Sequence, residues 1–368
     1  MKFTCTQENL NKGLVIVSRL VGKTISLPIL ENIFLSASKS GLELKATNLE
    51  LGVITTVRGK TEIEGEILAP AKLLNESVAL FSNDNINLST KENNLEIKNS
   101  KQKVSVRGVS TDDFPVIPQI DKGEKITINT LAFKEALVRV CFAVNVDESR
   151  PEIGGVCLLP EGSSLLVVGT DSYRLAESRI DLNSGILTKK TVLSLRAAQE
   201  MAHILNNELN DVTQLVINDN QVLCEVGDTK ITSRLVGSDY PDYKPIIPTQ
   251  FNNTFLINKN ELVKAVRAAS LFVRSGINDI KLLVNSNNKT LQITSSNSQL
   301  GDQSTELEIK NVVGEDMEIV FNYRYLLDGL QAINTEHIEV GLVNSKDPGV
   351  FKPKKNNDYQ YIVMPIRQ

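Results

Sequence analysis

Lys2-Phe3-Thr4-Cys5-Thr6-Gln7-Glu8-Asn9-Leu10, with the run that follows to Val21, recurs twice along the chain. Phe3, Cys5 and Leu10 return as Ile126, Ile128 and Phe133, and again as Phe255, Ile257 and Leu262, at offsets of 123 and then 129 residues. Each copy opens with a short polar–apolar alternation, the pattern of a half-buried strand. A turn residue follows, and then apolar residues at i, i+4, i+7 and i+11. These are Leu10, Leu14, Val17 and Val21; Phe133, Leu137, Val140 and Val144; and Leu262, Val266, Ala269 and Val273. Such spacing draws a narrow apolar stripe on one helix face, which must pack on something, most simply the sheet begun by its own strand.

A second helix repeats in the same register. Leu74, Val78 and Phe81 recur as Ala197, Met201 and Ile204, then as Leu326, Leu330 and Ile333, again at offsets of 123 and 129. A short strand precedes each: Ile67 to Ala69, Val192 to Ser194 and Ile319 to Phe321. Between the helices, the polar turn in Leu44 to Leu51 matches the one in Val167 to Leu175, with a degenerate copy in Ile293 to Leu300. A repeated period of this length marks a repeated structural unit. Each unit divides into two strand–helix–strands halves, which is an α+β layer with many short strands.

The poorly periodic, proline-bearing segments Pro115 to Lys125 and Pro241 to Gln250 lie where boundaries belong, giving three domains at 1–120, 121–246 and 247–368. Proline stiffens short connections, so the units should keep a fixed mutual angle. Three units joined with one rotation trace an arc, and an arc with unlike ends can close head-to-tail with a second copy. No apolar run is long enough to span a bilayer and the N-terminus lacks a signal peptide's regions, so a cytoplasmic protein is expected. Cys5, Cys141, Cys157 and Cys224 are far apart in apolar segments and read as buried reduced thiols.

With a net charge of −4, the overall field does not favour nucleic acid, so the placement of charge matters more than its sum. Taking the stripe as zero and about 100° per residue, Lys12, Arg19, Arg139, Lys264, Arg267 and Arg274 point away from the core at roughly 120–240°. Lys72, Arg196 and Arg324 stand near the starts of the three second helices. A basic face repeated in all three units could line the hollow of an arc, where Lys and Arg give salt-dependent, sequence-independent affinity for phosphates.

No glycine-rich phosphate loop or dinucleotide motif is present. His203 and His337 have no ligand cluster for a metal, so no cofactor is expected. Asp171 and Arg174 are the one polar pair with any reading as a hydrolase or nuclease site, and an Asp in a turn more commonly orders its own backbone.

Taken in order, Met1-Lys2-Phe3-Thr4, Leu27-Pro28-Ile29-Leu30, Thr170-Asp171-x-x-Arg174-Leu175-Ala176, Tyr240-Pro241-Asp242-Tyr243 and Tyr361-x-Val363-Met364-Pro365-x-Arg367 resemble the bacterial sliding clamps, the β subunits of DNA polymerase III, over the whole length. The resemblance implies the DNA-clamp fold, two helices on β-sheets in each domain, and two chains in a six-domain ring around duplex DNA. It implies a non-catalytic processivity factor that a clamp loader places on DNA and that tethers the polymerase III alpha subunit and other clamp-motif proteins. It also implies a peptide pocket between domains two and three. Its turn and strand residues would be Ile153, Thr170, Ser172, Tyr173, Arg174 and Leu175. Pro241, Ile246, Pro348, Ile362, Met364, Pro365, Ile366 and Arg367 would complete it, with Thr170 and Arg174 orienting a polar peptide.

The same matching places Lys23 among the DNA-facing residues and joins Val104 and Val106 of domain one to domain three around Leu271 in the dimer. The sequence departs from the family pattern at Thr24, Pro151, Glu152, Ser172, Tyr173, Pro245 and Gln368. A monomeric interaction scaffold without DNA is the alternative that the residues alone leave open.

Overall fold

The computed structural model describes residues 1–22, 27–147, 149–206, 210–273, 276–354 and 358–367. Two compact units emerge, one from residues 1–131, 183–185 and 203–235, the other from 132–182, 186–202 and 236–368. The middle repeat is therefore divided between the two units, with strands of each of its halves in both. Strand pairing joins one repeat to the next in each unit.

The first repeat runs β1 (Lys2–Thr6), α1 (Gln7–Ser18), β2 (Asn32–Ser38), β3 (Gly41–Thr47), β4 (Leu51–Val57) and β5 (Lys60–Ile63). It continues through β6 (Gly65–Pro70), α2 (Ala71–Ala79), β7 (Asn85–Lys91), β8 (Asn94–Lys98) and β9 (Lys103–Arg107). The second comprises β10 (Glu124–Asn129), α3 (Thr130–Cys141), β11 (Gly155–Glu161), β12 (Ser164–Thr170) and β13 (Arg174–Gly185). Its later half is β14 (Thr191–Ser194), α4 (Leu195–Asn206), β15 (Val212–Ile217), β16 (Gln221–Val226) and β17 (Thr229–Arg234). The third has β18 (Asn253–Asn258), α5 (Lys259–Ser270), β19 (Asp279–Asn285), β20 (Thr290–Asn297), β21 (Gly301–Glu308) and β22 (Lys310–Val313). It ends with β23 (Met317–Asn322), α6 (Tyr323–Ala332), β24 (His337–Leu342), β25 (Gly349–Pro353) and β26 (Tyr359–Val363).

Local chemistry explains the repeated strand-to-helix step. In β1, Phe3 and Cys5 are buried while Lys2, Thr4 and Thr6 are not. Thr6 then caps α1 by accepting from the Asn9 N–H, Asn258 caps α5 and Asn322 caps α6, each satisfying an otherwise orphaned donor. The helices stop before the fourth stripe position: Val21, Val144 and Val273 all lie beyond α1, α3 and α5.

The sheets differ from the simplest expectation. In each half-repeat the opening strand leaves its own half and joins the strands of the other. β1 pairs with β7 beside β8 and β9, while β6 pairs with β2 beside β3 and β4. Helix α1 consequently lies chiefly on β3 and β4, not on the sheet its own strand joins. Gly13 permits that approach, since a Cβ there would stand 2.7 Å from Val57. Helix α5 lies on β20 and β21 in the same way.

Each unit contains one seam between repeats. In the first unit β4 pairs antiparallel with β17, and in the second β13 pairs antiparallel with β26. The proline-bearing connections are packed down: Phe114 packs at a tilt against Phe34 with centroids 5.3 Å apart, Ile117 fills the space beside Gly52, and Tyr240 and Tyr243 are buried. Among the described residues, no helix is long and apolar enough to cross a membrane.

Candidate functional site

The turn joining β12 to β13 is built from its own side chains. Thr170 Oγ1 donates to the Arg174 carbonyl at 2.7 Å and accepts from the Ser172 N–H at 3.2 Å. Asp171 Oδ1 accepts from the Tyr173 and Arg174 N–H groups at 2.9 and 3.0 Å. Ser172 stands at φ +77°, a left-handed conformation that this hydrogen-bond cage supports. The first repeat makes the same turn, with Thr47, Asn48 and Leu49 at φ +76°.

Arg174 is bonded within the protein through each of its three nitrogens. Its Nε donates to Asp171 at 2.9 Å, Nη1 to Asp328 at 2.6 Å and Nη2 to the Phe142 carbonyl at 2.8 Å. The guanidinium lies over the Tyr325 ring at 4.6 Å and the Phe142 ring at 5.4 Å. Burial works against the charge, but Tyr361, Asp328 and Asp171 more than offset it, so the Arg174 pKa stands above its ordinary value. Thr170 is likewise buried and committed to the turn. Both residues hold the turn in shape, Thr170 through its hydroxyl and Arg174 through three of its five N–H donors.

Beneath the turn, Ile153, Leu175 and Ile362 join one apolar cluster with Cys157, Val168, Tyr240, Tyr243 and Val350. The seam itself places Leu175 opposite Ile362. Beyond β26 the chain is strapped twice: the Met364 N–H donates to the Tyr173 carbonyl and the Ile366 N–H to the Val320 carbonyl, each at 2.8 Å. Above this floor, Ser172, Tyr173, Pro241 and Ile246 are exposed, Pro348, Met364 and Ile366 are half-buried, Arg367 is exposed and Pro365 is buried. The arrangement offers an apolar, partly open surface beside a rigid turn, suited to an extended apolar segment rather than to chemistry.

Several contributors are not among the residues singled out from sequence. Tyr325 stacks against Tyr173 with centroids 6.4 Å apart, and Asp328 anchors Arg174. Arg150 donates to Ser172 Oγ at 2.8 Å. Tyr243 donates a short hydrogen bond to Glu177, which also accepts from Gln360. Burial pushes the Tyr240 and Tyr243 phenols well above their usual range and the Cys157 thiol up to about 12. The Tyr240-Pro241-Asp242-Tyr243 motif was a signal for the two tyrosines. For Tyr325 and Asp328, on the exposed-side spacing of α6, there was none.

The basic residues divide. Lys12, Arg19, Lys72, Arg196, Lys264, Arg267 and Arg324 are exposed, while Lys23, Arg274, Thr24 and Gln368 lie outside the described residues. Arg139 contradicts its expected outward placement. Its side chain is only 15% exposed, pairs with Glu135 at 3.4 Å and Asp358 at 3.5 Å, and lies over the Tyr359 ring. A helical wheel measures angle from the helix's own stripe and does not register a neighbouring strand, here β26, closing over the far side.

Of the residues expected at a dimer interface, Leu271 is 72% exposed and Val104 half-buried, but Val106 is a core side chain. What β9 leaves open there is its backbone edge. Among the described residues, no group of His, Cys, Asp and Glu could hold a metal ion.

Three family models match the chain in succession: the DNA polymerase III beta subunit N-terminal domain at residues 1–118, central domain at 127–242 and C-terminal domain at 244–367. The chain is similar to the beta sliding clamp of Synechocystis sp., at 30% identity over 389 residues covering 100% of this chain and 99% of the relative. The Synechococcus elongatus beta sliding clamp is also 30% identical, with 100% and 99% covered. Among solved structures, the DNA polymerase sliding clamp from Bacillus subtilis superposes with a TM-score of 0.93 at 26% identity, covering 100% and 99%. A Pseudomonas aeruginosa sliding clamp bound to griselimycin gives 0.94 at 26% identity, with both chains fully covered (100%).

Proposed function

Since the chain belongs to the bacterial DNA polymerase III beta-subunit family, the sliding clamps, we propose that two copies close into a six-domain ring that encircles duplex DNA and tethers the replicative polymerase. Its role is mechanical, not catalytic. Three domains at 1–120, 121–246 and 247–368 form each half of the ring. A clamp loader opens it, and the polymerase III alpha subunit and other clamp-motif proteins dock at the apolar surface around Leu175, Ile362 and Met364. The work is done in the bacterial cytoplasm.

The observation that carries this reading is the repeated seam. Each of the six half-repeats carries a corresponding outer strand: β4, β9, β13, β17, β21 and β26. Four of them pair in the two seams, leaving β9 and β21 at sheet edges. One unpaired strand of each kind is what a chain needs to join a second copy head-to-tail. Once closed, retention depends on topology, so a sparse basic surface around Lys12, Arg19, Lys264 and Arg267 suffices and tight phosphate contacts would only impede sliding.

Loading on closed circular DNA tests the proposal. Slow loss from the intact circle and rapid loss after one cut with a restriction enzyme are expected. Equal loss from both, or a single chain in solution at micromolar concentration, would overturn encirclement.

A further inference from the structure

We propose that the groove in the first unit, between the connection over residues 117–125 and the β4–β17 seam, is a second docking site. Its occupant is an extended segment of a partner protein, anchored by one branched aliphatic side chain. The groove stands apart from the surface around Leu175, Ile362 and Met364, and its use does not require ring closure.

The pairing register builds the floor. Lys125 faces Val216, Val216 faces Leu223, Leu223 faces Thr232 and Thr232 faces Gly52. Directly opposed residues of antiparallel strands share a face, so this row lies on one side of the sheet. Helix α1 lies on the other side, where Gly13 meets Thr55 and Val57, the alternate positions of β4. Val216 and Leu223 form a small apolar cluster with Ile120, and half-buried Ile54 stands on the same face as Gly52. Together they line a cavity of 310 Å³. Its rim is charged but balanced: Glu43 pairs with Lys45 at 2.8 Å, Glu225 with Lys230 at 2.7 Å and Asp228 with Arg58 at 2.9 Å. A rim of closed ion pairs does not draw an ion, whereas the floor favours burial of an apolar group.

The second unit shows what such a groove takes. Its corresponding row is Thr254, Gly341, Val350, Ile362 and Leu175. There the chain seats its own side chains. Phe251 lies so close over Gly341 that a Cβ would stand 2.7 Å from its ring. Ile247, in extended backbone at φ −85° and ψ 115°, packs on the same cluster as Val350 and Ile362. Tyr243, which covers that seam, precedes Thr254 by eleven positions, and Ile117, which covers the first, precedes Lys125 by eight. The first connection is therefore three residues shorter, and at the register position of Phe251 it carries Lys122, which is exposed. It seats Ile120 alone on its floor. The hollow that remains in the second unit lies to one side, bounded by the charged Glu161, Arg179, Lys244 and Lys352.

Val216 selects the anchor. Its methyl groups occupy the space that Gly341 leaves for the Phe251 ring, so an aromatic ring is too large and a leucine side chain fits.

Methyl NMR and fluorescence anisotropy on the full-length protein test this with two labelled peptides: residues 246–252 of this chain, and the same peptide with Phe251→Leu. The leucine peptide should bind more tightly and shift the methyl signals of Ile54, Ile120, Val216 and Leu223. Ile54→Glu, which copies Glu177 of the second unit, should weaken it about tenfold by setting a charge against the anchor. Val216→Gly, which copies Gly341, should reverse the preference in favour of the phenylalanine peptide. Met364→Ala should change neither affinity. Absence of binding to the wild-type protein at millimolar peptide would overturn the assignment. So would shifts centred on Ile362 and Met364, or an Ile54→Glu variant that binds like wild type. A chain that never dimerises would defeat the ring and leave this groove standing.

Discussion

The Arg174 guanidinium meets the Asp328 carboxylate at 2.6 Å, and through that contact the turn between β12 and β13 is fixed to α6. Arg174 is 12% exposed and Asp328 44%, so one partner is sequestered while the other still touches water. The pair, with Asp171 completing it, turns a hairpin loop into a rigid wall of the apolar surface.

Removing the buried partner should be the costlier change. Arg174→Ala leaves Asp171 without its cation and a gap between Tyr325 and Phe142, and should cost about 3 kcal/mol. Asp328→Ala should cost about 1 kcal/mol, because Asp171 still satisfies the guanidinium. Urea denaturation measures both, and equal midpoints for the two variants would show that the arginine is not the anchor.

Met364 and Ile362 separate docking from stability. Ile362 is fully packed, so Ile362→Ala should destabilise the fold by about 2–4 kcal/mol. Met364 is half-buried at the rim, and Met364→Ala should weaken a clamp-motif peptide severalfold with the melting temperature nearly unchanged. Fluorescence anisotropy with a labelled peptide, alongside calorimetry, distinguishes them. Unchanged peptide affinity in Met364→Ala would place the docking surface elsewhere.

Arg139 should behave unlike the other basic helix residues. Arg19→Ala with Arg267→Ala should make DNA binding less salt-dependent, lowering the log–log slope by about 0.9 for each phosphate that is no longer neutralised. Arg139→Ala should leave that slope alone and lower stability instead, since Glu135 and Asp358 would be deprived of its charge. A slope change in Arg139→Ala would put it back among the DNA-facing residues.

Alkaline pH should act on the thiols. Burial holds Cys5, Cys141, Cys157 and Cys224 at about 12 in the folded chain, against about 8.5 when exposed. Below the unfolded value both states keep their protons and stability is unaffected. As pH rises toward 12 only the unfolded chain ionises, so these groups contribute a loss of stability across that window. A native-state thiol titration at pH 8 should accordingly be slow at Cys5, Cys157 and Cys224, and rapid labelling of any of these three would contradict its burial, whereas Cys141 is only half-buried.

Much of this molecule was legible before any coordinates. The 123- and 129-residue offsets located the six α-helices of the described residues, and the alternation of Phe3 and Cys5, or of Ile126 and Ile128, marked strands whose faces are set by a period of two. Those patterns are local, because a residue's burial within its own element depends on neighbours a few positions away. Which sheet a strand joins is not local. Nothing in Lys2 to Thr6 states that β1 will leave α1's supporting sheet and pair with β7, since alternation is satisfied equally by either partner. The fates of Arg139 and Arg174 were hidden for the same reason. Their partners Asp358 and Asp328 lie 219 and 154 residues away, and only the seam that sets β26 against β13 brings those carboxylates within reach.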